Sequence, residues 1–174
     1  MITAVVLAAG ASTRFGSPKQ RLLLAPVLDR VRASRVDDVL VVLGAHDVET
    51  DARVVRCADW ESGPGASLRC GLAALGPEVE AAVIVLGDGP DLDPRAVDRV
   101  IEAWRATGAD RLAATYRGVR LHPLLLARTA WDGTPDVGLR DVPVEPVECD
   151  DLSPPGDVDS ADDLLGRQPP PEAE

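Results

Sequence analysis

Short apolar runs and longer amphipathic stretches alternate along this chain. The apolar runs have the length of strands, and glycine, proline or polar residues end them. They predict strands at residues 3–8, 39–43, 53–57, 82–86 and 111–116. A further run at 144–147 is flanked and interrupted by proline, so it predicts a strand at the edge of a sheet.

Helical spacing of apolar residues fills the gaps between these runs. It predicts a helix from Pro26 to about Ser34, a second helix capped by Ser67, and a third that opens at Pro94. Strands that alternate with helices are typical of a parallel sheet covered on both faces. The pattern therefore predicts an α/β fold, as a single Rossmann-like domain of three layers with a mostly parallel sheet.

Length and composition agree with one domain. A chain of 174 residues, 45% of them hydrophobic and 3% aromatic, can bury a sizeable core made of valine, leucine and alanine. We expect this domain to span residues 1–167. The last segment, 168–174, is rich in proline and glutamate and has the composition of a disordered tail.

Charge and cysteine spacing disfavour several classes of function. A net charge of −11 and a pI near 4.6 argue against nucleic-acid or anionic-membrane partners, which need a basic surface. The chain lacks a signal-peptide pattern and an apolar run of membrane-spanning length, so we expect a cytoplasmic protein. The cysteines show no zinc or redox spacing. We therefore interpret Cys57, Cys70 and Cys149 as small hydrophobic residues.

The first apolar run leads into a loop with the residue types of a phosphate site. Gly10 and Gly16 allow tight turns and the close approach of a ligand. Ser12 adds a hydroxyl, while Arg14 and Lys19 add the positive charge that an anion requires. Neither of the two commonest phosphate-loop patterns fits this spacing. We expect a phosphate-binding loop of a third type, with a plain glycine-rich connection as the structural alternative.

A second candidate follows the run at 82–86, where the sequence Gly-Asp-Gly-Pro occupies 87–90. Magnesium uses one or two protein oxygens together with phosphate oxygens and water, and a carboxylate at the end of a buried strand suits it. Asp88 also fits the simpler role of a turn residue whose side chain bonds the nearby backbone.

Both segments resemble one known family. Residues 7–20 resemble the signature loop of the MobA-like nucleotidyltransferases, which include the molybdenum-cofactor cytidylyl- and guanylyltransferases, and 87–90 resemble the family's G-D-x-P element. The resemblance implies a fold of the nucleotide-diphospho-sugar transferase type. It also implies a nucleotide site formed by Leu7, Ala8, Ala9, Gly10, Ser12, Arg14, Lys19, Gly63, Ser67, Gly71 and Asp88.

The resemblance also assigns roles to charged residues. It implies that Lys19, Arg14 and Asp88 are catalytic, with the two cations on the phosphates of the substrate. The implied cofactor is Mg²⁺. Its ligands would be Asp88 and Asp157, with Asp159 as the alternative to Asp157.

Weaker resemblances concern the base and the acceptor. Gly63, Ser67 and Gly71 match an element that lines the base pocket in the family, and capping of a helix by Ser67 is the structural alternative. His122 and Arg140 match elements that face the acceptor. A buried structural histidine and a surface ion pair are the alternatives for these two residues.

The reaction implied is nucleotidyl transfer from a nucleoside triphosphate to a small phosphorylated or hydroxylated acceptor, such as a molybdopterin-type cofactor, with release of pyrophosphate. We expect transfer of CMP first and of GMP next, because relatives with Leu-Ala-Ala-Gly tend to be cytidylyltransferases. Two alternatives stay open. One is a non-catalytic nucleotide-binding regulatory domain, and the other is a nicotinamide-dependent oxidoreductase, which the missing glycine fingerprint disfavours.

Overall fold

The computed structural model describes residues 1–12, 19–156, 158 and 163 of the chain. The main elements follow in the order β1 (Ile2–Ala8), α1 (Gln20–Arg32), β2 (Asp38–Leu43), β3 (Arg53–Arg56), α2 (Pro64–Ala73), β4 (Ala81–Leu86), α3 (Pro94–Thr107), β5 (Arg111–Tyr116), β6 (Val119–Ala127) and β7 (Glu145–Glu148). The strands predicted from the apolar runs are confirmed, with ends that differ by a residue or so.

The strands form one sheet in the order β3-β2-β1-β4-β6-β5-β7. β1 lies between β2 and β4 and pairs in parallel with both. β3 extends this parallel part, whereas β6 runs antiparallel to β4 and to β5. β7 pairs with β5 alone and lies at the edge, as its prolines predict. The predicted mostly parallel sheet is confirmed.

Helices cover both faces of the sheet and produce three layers. Ala4 and Val6 of β1 belong to the core cluster that contains the buried faces of α1 and α3. Val5, which lies between them, belongs to the second cluster, with α2. Successive side chains of a strand point to opposite faces, so β1 contributes to both cores. The α/β fold with three layers is confirmed.

The predicted start of the first helix at Pro26 is wrong. α1 begins at Gln20 and carries Pro26 in its interior. Proline inside a helix removes one backbone hydrogen bond. Here the ring lies on the exposed side, while Leu24 and Val27 on either side of it are buried. The burial of this continuous apolar face offsets the missing bond and lets the helix start earlier.

The predicted cap of the second helix is also wrong. α2 begins at Pro64 with Gly63 at the N-cap position, so Ser67 lies inside the helix and is buried. Proline is preorganised for the first position of a helix, and its missing N–H is one of those that have no partner in the helix there. Pro64 is therefore a stronger start signal than the serine three residues later.

The interpretation of all three cysteines as plain hydrophobic residues is wrong for two of them. Cys57 and Cys70 form a disulfide, while Cys149 is free and buried. Cys57 directly follows β3, and α2 packs back over the sheet so that the two Cα atoms are 5.6 Å apart. This proximity arises from the tertiary path of the chain. It has no signal in the spacing of the cysteines along the sequence.

β6 is the one described strand that the apolar runs did not predict, because Pro123 interrupts its pattern.

The longest described helix, α3, has 14 residues and falls short of a membrane span, and no other described helix qualifies. The predicted tail at 168–174 lies outside the described residues.

Candidate active site

The candidate site lies where β1 and β4 end side by side. The two strands are parallel neighbours, and Leu7 is in register with Leu86. The N–H of Gly87 donates to the Leu7 carbonyl at 2.9 Å, which extends this pairing by one residue. A Cβ on Gly87 would lie 3.0 Å from the Cβ of Ala8, so glycine lets the two chains stay this close. The start of the loop after β1 and the carboxylate after β4 therefore meet at the carboxyl ends of these two central strands.

Lys19 and Asp88 form an ion pair at this edge. The Lys19 Nζ lies 2.8 Å from Asp88 Oδ2 and also donates to the Val158 carbonyl at 2.8 Å. The two side chains are only 12% and 26% exposed. Lys19 is the single lysine in a chain that carries 17 arginines. Two of the three residues predicted to be catalytic are thus in contact, although 69 positions separate them.

The carboxylate of Asp88 fits a metal site of the magnesium type. Its Oδ1 atom is buried and accepts no hydrogen bond from a described residue, although a buried polar oxygen normally has a partner. Among the described residues, no group of three or more acidic, histidine or cysteine side chains is arranged to hold a metal. Magnesium needs no such group, because substrate phosphates and water complete its shell. One oriented carboxylate oxygen at the end of a strand is consistent with that chemistry.

Val158, which follows the predicted second metal ligand in the sequence, lies against Asp88. The N–H of Val158 donates to the Asp88 carbonyl at 3.1 Å, and Val158 is fully buried. Asp157, Asp159 and Arg14 lie outside the described residues. Their predicted roles therefore stay predictions.

The phosphate loop is tied together by side chains at its two ends. Ser12 has a φ of +54°, and its hydroxyl donates to Gln20 Oε1 at 2.8 Å. Gln20 Nε2 donates to the Gly10 carbonyl at 2.7 Å. The sequence analysis gave Gln20 no role. The contacts of a buried side-chain amide at the first turn of a helix are not visible in a motif.

A cavity of about 340 Å³ opens beside the loop. Five of the residues predicted to bind the nucleotide line it, namely Leu7, Ala9, Gly10, Gly63 and Ser67. Trp60 and Glu61 line it as well, and the sequence analysis missed both. They belong to a short 3-10 turn before α2, which the apolar pattern does not mark. The cavity thus combines an aromatic ring, a carboxylate and a hydroxyl next to the phosphate loop.

The start of α2 is packed tightly against a neighbouring loop. The N–H of Gly65 donates to the Asp136 carbonyl at 3.0 Å, and Arg69 donates to the Thr134 carbonyl at 2.6 Å. A Cβ on Gly65 would lie 1.8 Å from the Pro135 carbonyl oxygen, so a larger residue would separate the two segments. The wall of the cavity is fixed through these contacts.

Five described residues of the predicted nucleotide site lie outside the cavity lining, namely Ala8, Ser12, Lys19, Gly71 and Asp88. Ser12, Lys19 and Asp88 take part in the contacts described above, whereas Gly71 and Ala8 pack in the core. Gly71 is buried against the sheet, where a Cβ would lie 2.7 Å from Val5 and 2.8 Å from Val42, so its small size allows α2 to pack. Ala8 belongs to the core cluster on the other face of the sheet, and its small side chain faces Gly87. The structure gives both residues a packing role.

His122 lies in β6, within electrostatic reach of Asp88. Burial lowers the pKa of His122 to about 4, and the positive charge of Arg120 acts in the same direction, while Asp88 opposes it. The imidazole is therefore neutral near pH 7. The Tyr116 hydroxyl donates to the His122 carbonyl at 3.4 Å. This neutral, half-buried histidine fits both its predicted role toward an acceptor and the structural alternative.

Arg140, the other predicted acceptor residue, is exposed, and it forms no ion pair with a described residue. Arg120 holds the loop that carries Arg140. Its guanidinium donates to the carbonyls of Leu139 and Val142 at 2.7 Å and to the Arg140 carbonyl at 3.3 Å. Arg120 was not among the predicted residues, because the apolar runs do not predict β6, the strand that carries it.

A family model for the MobA-like NTP transferase domain matches residues 4–140. The chain belongs to the MobA-like NTP transferase family. The matched span includes the phosphate loop, the cavity and Asp88. The predicted membership and fold type are confirmed.

Similar proteins agree with this assignment. The bifunctional protein GlmU of Sorangium cellulosum is 33% identical in an alignment 127 residues long. The alignment covers 62% of this chain and 27% of GlmU, so this chain spans about a quarter of that relative. A crystal structure from Mycobacterium sp. strain JC1, described as a homolog of M. tuberculosis Rv0371c, is 30% identical with a TM-score of 0.78, covering 95% of this chain and 93% of its own. Rv0371c of M. tuberculosis H37Rv, solved in complex with manganese, is 29% identical with a TM-score of 0.72, covering 95% and 96%.

Proposed function

We propose that this protein transfers a nucleotidyl group from a nucleoside triphosphate to a small phosphorylated or hydroxylated acceptor and releases pyrophosphate. CMP is the favoured group and GMP the next. The single observation that carries the proposal is the Lys19–Asp88 pair, which lies where β1 and β4 end, next to strand residues that line the cavity with five of the residues predicted to bind the nucleotide. Membership of the MobA-like NTP transferase family supports the reaction class.

The cavity supplies a site for the base. Its glycines, Gly10 and Gly63, leave room for a planar ring to lie against backbone. Ser67 and Glu61 are hydrogen-bonding groups in the lining, and a carboxylate accepts from the exocyclic amine that cytosine carries. These lining groups favour a base with an exocyclic amino group over uracil, which has none.

Lys19 supplies a positive charge where the α-phosphate would lie. A compact ammonium group is a point charge that can follow a phosphate whose charge changes during reaction. Its partner Asp88 holds it at the ends of β1 and β4. The backbone of Ala9 to Ser12 and the predicted contribution of Arg14 would bind the outer phosphates.

Asp88, together with Asp157, would hold Mg²⁺, which supplies neutralisation of the phosphate charge when bound. The manganese complex of Rv0371c supports divalent-metal binding in a relative that is 29% identical. The buried Oδ1 atom of Asp88, which accepts no hydrogen bond from the described part of the chain, is the feature that fits such an ion.

The acceptor would enter from the side of β6. An oxygen of the acceptor forms a bond to the α-phosphorus as the bond to the departing pyrophosphate breaks, so the protein mainly positions the two substrates. The neutral ring of His122 can accept a hydrogen bond from an attacking hydroxyl. Arg140, exposed on the neighbouring loop, would pair with an anionic group of the acceptor, such as the phosphate of a molybdopterin-type cofactor.

The test is pyrophosphate release. Purified protein is incubated with Mg²⁺, each of the four ribonucleoside triphosphates, and pterin, phospho-sugar and phosphoenolpyruvate-like acceptors. We expect acceptor-dependent release that is fastest with CTP. Tight binding of a triphosphate without release under any of these conditions would instead support the regulatory nucleotide-binding alternative.

A further inference from the structure

Gln20 occupies an unusual position for a polar side chain. It is the first residue of α1, yet it is only 4% exposed. Both ends of its amide are satisfied by the first residues of the phosphate loop: Nε2 donates to the Gly10 carbonyl at 2.7 Å, and Oε1 accepts from the Ser12 hydroxyl at 2.8 Å. The side chain thus links the chain that enters the loop to the helix that leaves it.

Ser12 completes this link on the side of Lys19. Its hydroxyl oxygen accepts from the backbone N–H of Lys19 at 3.3 Å while its hydrogen is donated to Gln20. The φ of +54° at Ser12 is a left-handed conformation that a residue other than glycine adopts at a cost, and the surrounding bonds hold it there. The two bonds use the donor of the hydroxyl and one of its lone pairs.

We infer that Gln20 is a positioning residue, which acts through Ser12 to fix the backbone of Lys19 and so to aim its ammonium group at the reacting phosphate. The inference rests on the proposed function for the phosphate and deepens it. It also gives the Ser12 hydroxyl a role in closing the loop, beside the proposed role of the Ser12 backbone toward phosphate.

The geometry explains why loss of the Gln20 hydrogen bonds is expected to slow the chemical step. Lys19 is adjacent to Gln20, and its Nζ is held by Asp88 and by the Val158 carbonyl at the far side of the site. Small displacements of a positioned charge reduce the rate much more than they reduce ground-state binding. Gln20→Leu keeps a side chain of similar size and removes both hydrogen bonds. We expect kcat to fall by about 10- to 100-fold while KM for the triphosphate changes by less than about threefold.

A double-mutant cycle separates positioning from general support of the fold. If Gln20 acts through Lys19, the effect of Gln20→Leu on kcat disappears when Lys19 is already alanine. Multiplicative effects of the two substitutions would overturn the inference. Ser34→Ala is the matched control, because that hydroxyl also bonds backbone, the Val31 carbonyl at 2.6 Å, but at the opposite end of α1. We expect it to leave kcat unchanged.

Amide hydrogen exchange tests the same link without any assay of activity. In the free protein, Gln20→Leu is expected to speed exchange of the Lys19 amide by at least about tenfold and to leave β1 and β4 unchanged. Unchanged exchange at Lys19 would overturn the inference, even if the protein proves to be an active transferase. Faster exchange in a protein that shows no triphosphate-dependent release would leave the link standing and refute the proposed function.

A second variant covers the case in which Gln20→Leu does not fold. Gln20→Glu keeps the shape and the acceptor for Ser12 but loses the donor to Gly10. It is expected to reduce kcat less than Gln20→Leu but to speed Lys19 exchange in the same direction. An effect of Gln20→Glu on stability alone, with kcat and Lys19 exchange as in the wild type, would overturn the inference.

Discussion

The two sides of the site are built in different ways. On the nucleotide side, Lys19, Asp88, Ser12 and Gln20 are largely shielded from solvent and bonded to one another. On the acceptor side, Arg140 is exposed on a loop that Arg120 holds through the carbonyls of Leu139 and Val142. Partly buried contacts preorganise charges, whereas exposed charges are screened and adaptable. We therefore expect the chemistry to depend steeply on the first side and the choice of acceptor to depend on the second.

The largest effect is expected from Asp88→Asn on the nucleotide side. The amide is close in shape to the carboxylate but cannot neutralise a divalent cation, so activity should fall by roughly a thousandfold or more with the fold intact. Rates of pyrophosphate release and the far-UV circular dichroism spectrum measure the two quantities. A variant that kept more than a tenth of its rate would show that the metal is held elsewhere.

Lys19→Ala should lower kcat by about 100-fold and raise KM for the triphosphate much less, because its charge matches the reacting phosphate. Arg14→Ala is expected to do the reverse, since it is predicted to bind the outer phosphates in the ground state. Equal effects of both substitutions on KM would contradict this division of roles.

Chemical modification can check the position of Lys19 without a variant. Lys19 is the single lysine, so an amine-reactive reagent has only Lys19 and the N-terminus of Met1 as amine targets. The N-terminal amine forms an ion pair with Glu80 just before β1, at the opposite end of that strand from the site. It serves as the internal reference. A triphosphate should protect Lys19 from modification but not Met1. Equal protection of both amines would argue against a phosphate at Lys19.

The disulfide lies on the nucleotide side, so its removal is expected to affect the stability of the fold and the binding of the triphosphate. Cys57–Cys70 spans the segment that contributes Trp60, Gly63 and Ser67 to the cavity. Closing a loop of this size stabilises a fold by about 3 kcal/mol in the chain-entropy model. Replacing both cysteines by serine should lower the free energy of unfolding by about that amount, as measured by denaturant titration, and weaken triphosphate binding more than acceptor binding. An unchanged unfolding free energy would show that this cross-link contributes little.

The smallest effect is expected on the acceptor side. Arg140→Ala removes one exposed charge, so KM for an anionic acceptor should rise about 3- to 10-fold while kcat and KM for the triphosphate stay the same. Arg105→Ala, an exposed arginine on α3 away from this loop, is the control. A loss of triphosphate binding in Arg140→Ala would mean that the two sides are not separate.

The same contrast explains what could be predicted from the sequence. The strands and the residues at their carboxyl ends were predictable, because Leu7 to Gly10 lie at the end of one buried apolar run and Asp88 lies just past the end of another. The topology of parallel strands brings such ends together. The cavity residues Gly63 and Ser67 were found through a family element, although the helix that carries them starts earlier than predicted.

Contacts between distant segments were not predictable. The Cys57–Cys70 bond, the three carbonyls held by Arg120 and the packing of Gly71 on Val5 and Val42 depend on tertiary paths that leave no local pattern. Gln20 was visible as part of the motif, but its burial decides its role, and burial follows from the packing of α1. Pro26 misled the prediction because the packing of an apolar face outweighed a local start signal.

The most direct test of a triphosphate site at the loop, cavity and Asp88 is thermal unfolding with and without nucleotide. A ligand at about 100 times its Kd adds about 2.7 kcal/mol, which should raise the Tm of a domain of this size by about 5–10 °C. We expect the largest rise with CTP and Mg²⁺, the next with GTP, and a much smaller rise when a chelator replaces Mg²⁺ or when Asp88 is asparagine. No rise with any of the four triphosphates at millimolar concentration would contradict a nucleotide site here, and with it the proposed transfer.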